Sequence, residues 1–177
     1  VTEQQPKAIR IIVGILLMAA FVMISFALVL RYAGGWGVPY FSFTTDRGSS
    51  CTNNFTGYTC DKLTLADVEF YGDVDLPDNT QVVQGVYRST HDFTLDARLQ
   101  VPKASAAAGL KALNAAYGPC KAGNPSPLPA TGLSAPCVMA NDDTVTGSSG
   151  ISGELFTVGT GVRKDGARLV SLSVKSR

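Results

Sequence analysis

The chain has little of what chemistry usually rests on. It holds one histidine and one tryptophan in 177 residues. His91 sits in Ser89-Thr90-His91-Asp92, a polar stretch that reads as an exposed turn. A catalytic role for it needs a nucleophile and an orienting group, and the sequence places neither. No Lys/Arg run is interleaved with aromatics, and the formal net charge is +1. That removes the electrostatic footprint of a nucleic-acid binder. No GxSxG elbow is present. Asp96, Asp142 and Asp143 offer carboxylates, but nothing in their spacing makes them converge as a hydrolytic pair. The four cysteines lack CxxC spacing and have no histidine nearby, which argues against zinc. The expectation is no catalytic residue, no cofactor, no metal and no enzymatic activity.

What stands out instead is a long apolar run. From Ile11 to Leu30 there are twenty residues and no charge. At about 1.5 Å per residue, a helix of this length spans about 30 Å, the thickness of a bilayer's hydrocarbon core. Lys7 and Arg10 flank its start, and Arg31, Tyr32, Trp36 and Tyr40 flank its end. Arginine snorkels to headgroups, and tryptophan and tyrosine favour the interface. A buried soluble helix is seldom apolar on every face for so long. A cleaved secretory signal has a shorter core, about 7–15 residues, and a small-x-small cleavage site. Here the run closes on Leu28-Val29-Leu30-Arg31, and no cysteine follows closely enough for a lipoprotein anchor. We expect an uncleaved signal anchor at residues 11–31 behind a short cytoplasmic tail, residues 1–10. Val1 fits a literally translated GTG start in a high-GC bacterium. Gly14 is followed four residues later by Met18, so GxxxG pairing is not supported.

Flanking charges are nearly balanced, so the orientation rests on the cysteines. Cys51, Cys60, Cys120 and Cys137 all follow the anchor. An even count beyond an export signal indicates disulfides in an oxidising compartment. Three connectivities are open. The local pairs Cys51–Cys60 and Cys120–Cys137 are favoured, because each closes a loop with little core of its own. Residues 32–60 read as a juxtamembrane linker with a Cys loop, and residues 61–177 as an extracytoplasmic α+β domain. The rings of Tyr40-Phe41-Ser42-Phe43 are expected at the headgroups or against the domain. Asn54-Phe55-Thr56 fits the glycosylation pattern, but such tripeptides arise often by chance. Asp73-Val74-Asp75-Leu76-Pro77-Asp78 lacks the glycine and terminal glutamate of a calcium loop and reads as a solvated turn.

Residues 68–71 suggest a short strand. Residues 82–88 and 93–101 suggest a strand pair, with Phe93, Leu95, Ala97, Leu99 and Val101 alternating with polar neighbours. Residues 104–117 suggest an amphipathic helix with Leu110, Leu113 and Tyr117 on its apolar stripe, stopped by Gly118-Pro119. Residues 121–136, with four prolines, read as an irregular loop; Cys137-Val138-Met139 is placed against the sheet; residues 141–153 read as a polar one. The C-terminus reads as a hairpin. A three-residue Lys164-Asp165-Gly166 loop with Gly166 left-handed pairs Thr160 with Val170, Val158 with Leu172 and Phe156 with Val174. A two-residue loop would invert one face, so the longer loop is expected. Gly159 and Gly161 read as a bend in preference to a close neighbour or ligand. The expected fold is one transmembrane helix, then a small antiparallel sheet of four or five strands with one main helix packed on one face.

An export anchor, a Cys-bearing linker, Asp75-Leu76-Pro77-Asp78-Asn79-Thr80, a strand ending in Leu99-Gln100-Val101-Pro102, an alanine-rich helix and a Lys164-Asp165-Gly166 hairpin occur in that order. This pattern resembles membrane-anchored or lipoprotein-like exported proteins of actinobacteria, of the streptomycete kind, over residues 73–174. The resemblance implies no established activity and carries over no functional residue. The expected function is a membrane-tethered extracytoplasmic interaction or accessory domain. The alternatives are a small-ligand-binding envelope protein and a cell-envelope hydrolase. The expected partners are the bilayer, through Ile11 to Leu30, and an envelope protein, with no nucleic acid.

Overall fold

A computed structural model describes residues 7–33, 42–54, 56–129, 132–141 and 154–176. The first element is helix α1, Lys7–Ala33. Within it, Ile11–Tyr32 has a mean hydropathy of 2.9 and none of its span is buried in protein. It is long and apolar enough to cross a membrane. Arg31 lies in its last turn, where a cation suits the negative end of the helix dipole.

The rest is α+β. Eight strands form one antiparallel sheet: β1 Ser42–Thr44, β2 Ser50–Asn54, β3 Gly57–Lys62, β4 Gln81–Ser89, β5 Phe93–Val101, β6 Leu133–Ala140, β7 Glu154–Arg163 and β8 Arg168–Ser176. Their spatial order is β1-β2-β3-β4-β5-β8-β7-β6. The sheet is therefore larger than the four or five strands expected. Ser42 to Lys62, read from sequence as linker and Cys loop as far as residue 60, supplies three of the additional strands. They are short and rich in Ser, Thr and Asn, so any hydrophobic alternation in them is too brief to read as a strand. Strand β6 was hidden by Pro136 and by a bulge between Ser134 and Cys137.

Helix α2, Leu65–Gly72, replaces the short strand expected at residues 68–71. Val-Glu-Phe-Tyr has strand propensity, but Thr64 caps the segment by accepting from the Asp67 N–H. Val68 is then fully buried on the sheet. Helix α3, Ala106–Tyr117, follows a 3-10 turn at Lys103–Ser105. It ends where Gly118, at φ 85°, donates to the Asn114 carbonyl.

Both helices cover the same face of the sheet. Leu95, Leu99 and Val101 of β5 and Val170, Leu172 and Val174 of β8 are buried with Val68 of α2 and Leu113 of α3. Gly109 lets α3 come close, since an added Cβ there would lie 3.1 Å from Val101 Cγ1. The segment 73–78 is not a freely solvated turn. Asp73, Asp75 and Asp78 point to water, but Val74 and Leu76 alternate with them and are buried.

The C-terminal hairpin has the expected register: Thr160 opposite Val170, Val158 opposite Leu172, Phe156 opposite Val174. Gly166 has φ 87° and donates to the Arg163 carbonyl, while Arg163 N–H donates to Ala167. Gly159 is a correction. It marks a close approach, because an added Cβ would lie 2.6 Å from Pro127 Cγ and Cδ. At Gly161 an added Cβ would sit 3.1 Å from Leu133 Cβ. Gly159 alternates with core-facing Val158, so the proline-rich segment reaches the face opposite the helices. Lys121 and Val138 exchange backbone hydrogen bonds at 3.0 and 2.9 Å, which pins that segment to the edge of β6.

Two disulfides join Cys51 to Cys60 and Cys120 to Cys137. The first is a cross-strand pair of β2 and β3, buried within the core rather than in a coreless loop. The second ties the chain just past α3 to β6.

Candidate functional site

Two of the residues weighed for catalysis, His91 and Asp96, fall among the described residues. His91 is exposed in the β4–β5 turn. Asp96 is exposed on the face of the sheet opposite the helices and accepts from Ser173 Oγ at 2.8 Å. Asp142 and Asp143 lie outside the described residues. Among the described residues, no three His, Cys, Asp or Glu side chains converge as a metal site would require. Asn54 Oδ1 accepts from both the amide and the hydroxyl of Thr56, at 3.1 Å each. Tyr40 and Phe41 also lie outside the described residues, while Phe43 packs edge-on against Tyr58, centroids 5.3 Å apart.

One buried carboxylate stands out, and no motif in the chain pointed to it. Asp67, in the first turn of α2, is fully buried. Its Oδ2 accepts from Thr45 Oγ1 at 2.6 Å, from Ser49 N–H at 3.3 Å and from Thr64 Oγ1 at 3.2 Å. Thr64 has one hydroxyl proton, and it lies closer to the Arg47 carbonyl, at 2.9 Å. Burial pushes the Asp67 carboxyl up, but hydrogen bonds from Ser49, Thr45 and Thr64 together outweigh it. The group is held below the usual carboxylate range. A general acid needs the opposite shift. Asp67 is a clamp. It fastens the β1–β2 turn to α2.

That clamp sets out an aromatic corner. Arg47 of the turn lies 3.5 Å over the ring of Phe70. Phe70 packs edge-on against Tyr71, centroids 5.3 Å apart. Tyr71 stacks on Tyr87 at 3.8 Å, with planes 12° apart. Tyr87 leads to Tyr58 at 5.8 Å and to Phe93 at 6.0 Å, and Tyr58 leads to Phe43. Such pairs add to simple area burial when they are edge-on or offset. The inner phenols stay neutral: burial and the neighbouring Tyr58 push Tyr87 up to about 12, and burial raises Tyr71 further.

Two clefts flank the helices. One, of about 340 Å³, is lined by Asp73, Tyr117, Glu154 and Phe156. The other, of about 400 Å³, runs along Ala108, Lys111, Ala112 and Ala115 of α3 toward Asp75. In the first, Tyr117 donates its hydroxyl to the Gly72 carbonyl, and its ring meets Phe156 at 4.9 Å. The face of the sheet opposite the helices carries a polar depression of about 230 Å³ between Gln84, Asp96, Arg98 and Ser171. No protein-family model, no curated protein and no solved structure matches the chain.

Proposed function

We propose that this chain is a membrane-tethered extracytoplasmic domain that serves as an interaction or accessory module and not as an enzyme. The observation that carries the reading is the coupling of α1, apolar on all sides, to a disulfide-bonded sheet domain. Disulfides persist in oxidising compartments, which supports an N-terminus in the cytoplasm and a domain outside. The order of elements is in keeping with exported actinobacterial proteins of the streptomycete kind.

A small-ligand reading is favoured by one feature. The cleft of Asp73, Tyr117, Glu154 and Phe156 combines aromatic faces with carboxylates, a lining that suits a small cationic group. An envelope hydrolase is less supported, since a general acid is usually held neutral by burial and both carboxylates are exposed.

Alkaline extraction and external proteolysis of cells expressing the full chain test the main reading. The chain is expected in the membrane pellet, with its domain cleaved from outside and all four cysteines unreactive to alkylation. A chain that stays in the aqueous fraction without detergent, or four alkylated thiols in intact cells, overturns it.

A further inference from the structure

We infer that the aromatic corner is seated in the headgroup layer of the bilayer that α1 crosses, with Phe43 and Phe70 at the acyl boundary and Arg47 at the phosphates. The inference rests on the membrane tether proposed above.

Three large hydrophobic side chains outside α1 are exposed among the described residues: Phe43 at 38 %, Phe70 at 57 % and Val83 at 64 %. Two of the three belong to the same aromatic corner. That corner is also the part of the domain with the shortest leash. Phe43 in β1 lies ten residue steps beyond Ala33, the end of α1. Fully extended, ten residues reach at most about 33–36 Å, so Phe43 stays within that distance of the helix end.

The chemistry fits an interface rather than water or oil. A guanidinium over an aromatic face pairs an apolar body with a cationic tip, the combination that settles at the membrane–water boundary. The rings are also held in place beforehand. The Tyr71–Tyr87 stack and the Asp67 clamp fix α2 and the β1–β2 turn, so little side-chain freedom remains to be lost on contact. The three clefts described above are lined by neither Phe43 nor Phe70, and both rings are exposed.

The test uses the full chain in phosphatidylcholine–phosphatidylglycerol vesicles with Trp36→Phe, which silences the native indole. Phe70→Trp and Phe43→Trp are two separate reporters, and Lys164→Trp in the β7–β8 turn, a hairpin separated from β2 by β3, β4 and β5 in the sheet, is the control. Vesicle flotation is scored first, and intact disulfides by mass verify folding. Both corner reporters are expected to shift to the blue and to lose most of their emission to lipids brominated on the acyl chain. The control is expected to keep its emission. Adding Arg47→Glu is expected to relieve the quenching. Floating, folded protein whose corner reporters are quenched no more than the control overturns the docking and leaves the tether standing. That is also the result if the corner serves a protein partner absent from the vesicles. Failure to float overturns both.

Discussion

Thr45 and Asp67, 22 residues apart in sequence, share a 2.6 Å hydrogen bond from hydroxyl to carboxylate. This contact carries the β1–β2 turn onto α2. Asp67→Asn keeps the shape but loses the charge on which the Thr45 hydroxyl and the Ser49 N–H converge. A buried hydrogen-bonded charge of this kind contributes on the order of 1.5–3 kcal/mol. The folded carboxyl is held below 3.8, its ordinary value. Its stabilisation is therefore complete above that value and is lost as pH falls through the lower, folded one. Denaturant titration should find wild type and variant furthest apart at neutral pH and converging below about pH 4. A gap that stays constant down to pH 2 would contradict the clamp.

Gly159 and Pro127 supply a second test. Gly159→Ala puts a methyl 2.6 Å from Pro127 Cγ and Cδ, so the proline segment has to move. Overpacking of this kind costs typically about 1–3 kcal/mol. Pro127→Ala removes those two atoms and keeps Cβ. In the double variant the alanine at 159 should cost much less than alone, a coupling that a double-mutant cycle reads directly. Strict additivity would place the contact elsewhere.

The two disulfides should differ in how their removal is felt. The chain-entropy model gives about 3 kcal/mol for a loop of about 15 residues, and the Cys120–Cys137 separation of 17 is close to that. Cys51–Cys60 closes only 9 residues, yet both sulfurs are buried in the core. Replacing Cys51 and Cys60 by serine should therefore cost more than replacing them by alanine, because two hydroxyls enter an apolar site. For Cys120 and Cys137, both of them only half-buried, the two replacements should be nearly equal in thermal unfolding.

Tyr117 predicts an alkaline effect. Burial pushes its phenol well above 10.0, and the charges of Asp73 and Glu154 add to the shift. A raised folded value means that the stabilisation is intact below pH 10 and declines as pH rises beyond it. Tyr117→Phe loses the bond to Gly72, at about 0.5–1.5 kcal/mol near neutrality. Above pH 10 the variant should overtake wild type in relative stability, as followed by chemical denaturation.

Periodicity was informative where a strand or helix has one wet and one dry face. Phe93 to Val101 alternates cleanly, and its partner strand and turn fell where expected. The Leu110, Leu113, Tyr117 stripe located α3. Strands β1 to β3 gave no such signal, because they are held by pairing, by the buried cystine and by the aromatic corner rather than by their own alternation. The aromatic corner was illegible for the same reason. Its rings come from β1, β3, β4, β5 and α2, and Phe70-Tyr71 looks like strand until the Thr64 cap turns it into helix.

The residues alone settled the partition of the chain into an apolar helix and a polar remainder, since hydrocarbon solvation depends on composition over a run. They also settled the β7–β8 register, because a one-residue slip would turn Val170, Leu172 and Val174 to water. Tertiary structure alone decided that Asp67 is buried, that Gly159 makes room for Pro127, and that six aromatic rings meet at one corner of the sheet. Each of those depends on which distant segments become neighbours, and no local pattern encodes that.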